Sequence, residues 1–174
     1  RYRLFPTLAW LNSSDVFLRG MCWAGIALSV ALFFRIFPIV TVLGLYGLYL
    51  SMDTIGQTFL SFQWDALLLE TGFAAILLAP MGLRPRYAAA PSRIAIWVMR
   101  FLAFRLMLES GLVKLLSGDP AWRNLTALTF HYETQPLPTP LAWYVHHLPV
   151  AFQKASVGTV FVVELAVPFL FLMP

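Results

Sequence analysis

Arg105, Glu109 and Lys114 lie within twelve residues of an otherwise apolar stretch, RLMLESGLVKLL. Moving such groups into hydrocarbon costs about 2.5–3.5 kcal/mol each on insertion scales. A lysine near a helix end can snorkel toward headgroups, pair with an acid or take part in catalysis. Lys114 is therefore the candidate catalytic residue, held as the alternative to a structural role. His131, His146 and His147 have ring nitrogens that could hold a metal. No second ligand group recurs at regular spacing, so interfacial hydrogen bonding is the expected role and no metal is assigned. The chain carries no Gly-rich phosphate loop, nucleophile triad or zinc motif. No cofactor is expected, and the reading is against an enzyme.

The elements that position these groups follow from composition. Hydrophobic residues make up 60% of the 174 and charged residues 11%, against about 25% charged in ordinary soluble domains. Such a chain cannot cover its own surface with polar groups. It reads as a polytopic membrane protein whose surroundings are the lipid bilayer. The net charge of +4 points to a basic membrane-flanking loop and not to nucleic acid. Ten of the twelve basic residues are Arg, which favours a GC-rich, bacterial source. Cys22 is the single cysteine, so no disulfide forms within the chain. Asn12-Ser-Ser and Asn124-Leu-Thr match the glycosylation pattern, which matters in a eukaryotic secretory compartment. A chain that starts Arg-Tyr-Arg and stops at FLFLMP reads as a fragment.

Apolar periodicity and length predict an all-α transmembrane bundle of about five helices, at 16–34, 36–52, 64–81, 94–116 and 150–172. The first two form a tight hairpin around Pro38, and one polar loop covers 117–149. ETQPLPTP within it reads as an ordered extended turn or a partner-binding strip. Trp64, Trp122, Trp143, Tyr132 and Tyr144 are expected at membrane interfaces. Arg84, Arg86 and Arg93 make a short, dense basic loop that places its face in the cytoplasm. The 117–149 loop then faces the lumen or periplasm, although Arg1, Arg3, Arg123 and Lys154 also lie at or near that side.

FLSFQWDALLLETGF (59–73), SGLVKLLSGDPAWRNLTALTFHYETQPLPTPLAWYVHHLP (110–149) and LFPTLAWLNSSDVFLRGMCW near the start resemble the lipase maturation factor family. The resemblance implies a membrane-bound folding factor that assists folding or assembly of secreted lipases. It also implies residence in the endoplasmic reticulum membrane in animals, or in the inner membrane in bacteria. SGLVKLLSGDPAW separately resembles a Gly-x-x-Lys-Leu…Trp pattern of the vitamin K-dependent carboxylase superfamily. That likeness implies an integral membrane enzyme with Lys114 as its base.

At 100° per residue, Arg105 and Glu109 share one helix face, and Arg100 and Lys114 share another. Counting about 1.5 Å per residue from each membrane face matches Glu70 in depth with Arg105, Asp65 with Lys114, and Glu164 with Arg100. Glu109 is left to share Arg105. Paired in the bundle interior, these charges become tolerable and fix helix register. A folding factor needs surface more than a reactive centre. Trp122, Arg123, Asn124, His131, Tyr132 and Glu133 are the candidate contacts for a lipase client.

Overall fold

The computed structural model describes residues 6–85, 90–137 and 139–173; Arg1, Arg3, Arg86 and Pro138 lie outside the described residues. Helices account for the regular structure among them, with no strand. The chain divides into two compact units, 1–99 and 100–174.

In the first unit, α1 (Asp15–Phe33) starts at Ser14, whose hydroxyl accepts the Phe17 N–H. An N-cap serine with Asp15 in the first turn satisfies donors that the helix leaves unpaired. The end of α1 is a Schellman turn. Ile36 N–H reaches Ala31 O at 2.8 Å, and Arg35 N–H reaches Leu32 O at 2.9 Å. Arg35 takes the left-handed position (φ 56°) that glycine usually fills. Three residues later Pro38 opens α2 (Pro38–Gly56), where its missing N–H costs nothing. The hairpin around Pro38 is as the sequence predicts. Phe37 N–H also donates to Leu83 O at 2.9 Å, tying this corner to the chain beyond α3.

α3 (Gln63–Leu78) packs on α2. Tyr46 and Phe73 meet with ring centroids 6.3 Å apart. Asp65 is buried (4% exposed), accepting the Tyr49 hydroxyl at 2.7 Å and the Phe62 N–H at 3.1 Å. A carboxylate in a helix's first turn is favoured by the macrodipole and by that return bond. The segment before α1 is pinned to α2 through Ser51. Its oxygen Oγ accepts Leu8 N–H, and its carbonyl accepts the Thr7 hydroxyl, each at 3.1 Å.

α4 (Arg93–Leu116) begins in the first unit and ends in the second. The stretch 117–149, predicted as one polar loop, instead forms three short helices: α5 (Pro120–Arg123), α6 (Ala127–Thr134) and α7 (Pro140–His146). Asp119 caps α5, and proline opens α5 and α7. Polar residues hid these helices because each is only one or two turns long, too short for periodicity to register. Within ETQPLPTP, the described residues leave α6 at Thr134, and Gln135 is extended. α8 (Val150–Leu165) continues as a 3-10 turn, Val167–Leu172, where Pro168 ends the α-helical ladder.

Each of the five predicted helices has a counterpart in α1, α2, α3, α4 and α8. Three are long and apolar enough to cross a membrane, at Asp15–Phe33, Pro38–Phe59 and Val150–Leu172. Their surfaces are correspondingly greasy, with Val16, Trp23 and Phe33 of α1 mostly exposed. In water such a face would drive aggregation, whereas in a bilayer it is the solvated face.

Candidate functional site

Lys114 and Gly111 share one face of α4, three residues apart. A Cβ on Gly111 would stand 2.6 Å from Leu165 Cδ2 and 3.0 Å from Glu164 Cβ. The missing side chain lets α4 come close to the end of α8, and the lysine then reaches the acid. Lys114 Nζ lies 2.8 Å from both carboxylate oxygens of Glu164 and 3.2 Å from Ser110 O. An acid in the last turn of α8 opposes the helix dipole, and the ammonium offsets that cost. The Trp122 ring on α5 covers the same ammonium, centroid 5.4 Å away, and meets Phe161 of α8 edge-on at 5.9 Å. Trp122 thereby latches α5 to α4 and α8.

Depth matching sets Glu164 against Arg100 and Lys114 against Asp65. The structure pairs Lys114 with Glu164, fourteen residues further along α4 and thus about 21 Å away from Arg100. The count assumed that α8 starts level with the end of α4. In the structure α6 packs against α8, where Gln153 and Val157 are buried, and the Gln153 amide donates to Val145 O of α7. Lys114 meets α8 near that helix's far end, at Glu164. Asp65 has Tyr49, and Arg100 donates to Met173 O at 3.0 Å. Arg105 and Glu109 approach to 3.7 Å on an exposed face of α4. Glu70 lies on α3.

The candidate client contacts divide between two cavities in the second unit. Trp122, Asn124 and His131 line one of 610 Å³, with Asp119, Ala127, Phe130 and Thr134. Tyr132 and Glu133 line another of 530 Å³, with Trp143, His146 and His147. Arg123 closes α5, exposed, and lines neither. The histidines make local bonds. His146 Nε2 meets Glu133 at 3.0 Å, His147 Nδ1 meets Trp143 O at 2.7 Å, and His131 meets the Gln135 amide. Among the described residues no group of three or more His, Cys, Asp or Glu could hold a metal ion. Sequence reasoning missed Gly111, Phe161 and Phe130. Gly111 was legible in the Gly-x-x-Lys spacing, since positions i and i+3 share a helix face; the two phenylalanines carry no signal that sets them apart in so aromatic a chain.

The geometry bears on the chemistry of Lys114. Its nitrogen donates to Glu164 and Ser110 and is faced by a π ring. A base needs a free lone pair aimed at substrate, and this arrangement offers a clamp.

The family described as "Lipase maturation factor transmembrane domain" matches residues 1–174. The chain belongs to the lipase maturation factor family. It is 45% identical to Lipase maturation factor 2 of Homo sapiens over 186 aligned residues, which cover 97% of this chain and 26% of that protein. Lipase maturation factor 2 of Gallus gallus is 56% identical over 129 residues, 72% of this chain and 18% of that one. Lipase maturation factor 1 of Homo sapiens is 39% identical over 175 residues, 97% and 30% of the two chains. The chain thus spans about a quarter of the length of the curated relatives it matches. No solved structure matches it. Family and apolar helices together make this an integral membrane protein. The relatives named here are vertebrate, which gives no support to the bacterial source favoured on arginine usage. The carboxylase alternative likewise finds no support.

Proposed function

We propose that this lipase maturation factor domain assists the folding or assembly of secreted lipases. The observation that carries the reading is the family match over residues 1–174. The α5–α6 cavity, walled by Trp122 and Phe130, supplies a concave, half-apolar surface for a client. A folding factor must bind exposed apolar segments reversibly, and such a surface suits that task better than a sealed pocket. Trp122, Asn124 and His131 are its contact residues, with Tyr132 and Glu133 contributing from the neighbouring cavity.

In this reading α3 and α4 also cross the membrane. The 24 residues of α4 reach about 36 Å, longer than the ~30 Å hydrocarbon core. The charges of α4 argue against lipid exposure, but Lys114 has Glu164 and Arg100 has the Met173 carbonyl. Arg84 and Arg93 favour a cytoplasmic face for their loop, leaving α5–α7 on the lumenal side of the endoplasmic reticulum. The protein is then a membrane chaperone of that compartment.

The test is genetic. Deleting the gene should lower secreted lipase activity per mole of lipase while lipase synthesis stays constant. Unchanged specific activity would overturn the proposal.

A further inference from the structure

A second cavity of 610 Å³ lies in the first unit, far in sequence from the client surface. Its walls are the segment before α1 and the end of α2: Thr7, Ala9, Trp10, Ser13, Thr54 and Gln57, with Ile55. Three observations give it a specific character. The segment before α1 is held in place by the paired bonds of Thr7 and Leu8 to Ser51, so the wall is built. The other wall closes a helix long and apolar enough to cross a membrane, Pro38–Phe59. That places Thr54 and Gln57 within two turns of the helix end, at the level of headgroups and ester groups. Gln57 itself is held at φ 45°, ψ −121°, a conformation L side chains rarely adopt.

Among the described residues the lining is uncharged but rich in hydrogen-bonding groups. The Thr54 hydroxyl donates to Leu50 O and keeps its lone pairs for another donor. The Ser13 hydroxyl and the Gln57 amide are both exposed, open to a ligand on the solvent side. Together they present donors and acceptors without a cation. Phosphate headgroups are held by Lys or Arg, and among the described residues no such side chain lines the cavity. Trp10 adds a half-exposed indole, suited to the membrane interface. Ala9 and Ile55 supply apolar wall beside the polar groups.

We propose that this cavity binds the headgroup of a neutral glycerolipid of the diacylglycerol type. The free hydroxyl donates to Gln57 or Thr54, the ester carbonyls accept from the Gln57 amide and Ser13, and the acyl chains remain in the bilayer. The proposal depends on the membrane placement of α2 and is independent of the lipase reading, so either can fail alone.

Purified full-length protein is reconstituted in phosphatidylcholine vesicles with a trace of diacylglycerol carrying a photoactivatable acyl chain. Phosphatidylcholine with the same acyl label serves in parallel. Diacylglycerol adducts should concentrate several-fold on peptides containing Trp10 and Ile55, relative to the phosphatidylcholine label. The double variant Ser13→Ala/Gln57→Ala should lose that enrichment while keeping its helical circular dichroism and monodisperse elution. Gln57→Gly, which relieves the backbone conformation while removing the amide, should lose it too. Enrichment retained in both variants would overturn the proposal. So would identical adduct maps for the two lipids, or capture of phosphatidylcholine at the same residues.

Discussion

The Lys114 ammonium sits 2.8 Å from both carboxylate oxygens of Glu164, joining the last turn of α4 to the last turn of α8. Each side chain is about one-fifth exposed, at 23% and 20%. Glu164→Gln or Lys114→Met should therefore destabilise the protein by about 3 kcal/mol, the low end for breaking a buried pair. The double variant Lys114→Met/Glu164→Leu should recover much of that loss. Thermal midpoints in detergent, taken as a double-mutant cycle, measure the coupling. Simple additivity would show that the two are not partners. Lys114→Arg keeps charge and a π-facing cation, so it should retain folded protein and lipase maturation. Normal amounts of folded but inactive Lys114→Arg protein would point to chemistry at this nitrogen.

Gly111 sets the distance at which that pair forms. Gly111→Ala should cost about 1–3 kcal/mol, because its Cβ meets Leu165 Cγ at 2.9 Å and Glu164 Cβ at 3.0 Å. Gly20→Ala is the control, with nothing within 4 Å of the new Cβ. It should be neutral or stabilising by about 0.5–1 kcal/mol, since alanine is the better helix former. The same thermal midpoints decide, and equal effects at both positions would contradict the close packing at Gly111.

Tyr49 and Asp65 tie α2 to α3 in the first unit. Tyr49→Phe removes the hydroxyl from a buried carboxylate and should cost about 1.5–3 kcal/mol. Asp65→Ala should cost more, since the Phe62 N–H loses its acceptor as well. A Tyr49→Phe protein as stable as the parent would mean that water replaces the hydroxyl.

The sequence carried the membrane class and the places of α1, α2, α3, α4 and α8, because long apolar runs report directly on burial in lipid. It did not carry partner identity. Depth counting finds which charges need partners but fails at Glu164, which pairs with Lys114 near the end of α4. That offset is set by how 117–149 folds, and those helices are too short for a periodic signal. Charge counting makes Asp65 an ion-pair partner, whereas its carboxylate accepts a tyrosine hydroxyl sixteen residues away in sequence. A neutral donor leaves no trace in charge patterning. Of the candidate client residues, five line the two cavities and Arg123 does not, since facing on a one-turn helix cannot be counted from spacing.

The central claim is that the α5–α6 cavity meets a lipase during its maturation. A photo-crosslinking amino acid placed at Phe130, within that cavity, and separately at Arg84, on the opposite proposed face, tests it most directly. Cells making a tagged secreted lipase are irradiated, and adducts are recovered through the lipase tag. The account predicts lipase captured from position 130, with none from position 84, and the adduct lost once the lipase has matured. Capture from position 84 but not 130, or from neither while the protein is folded and abundant, would contradict it.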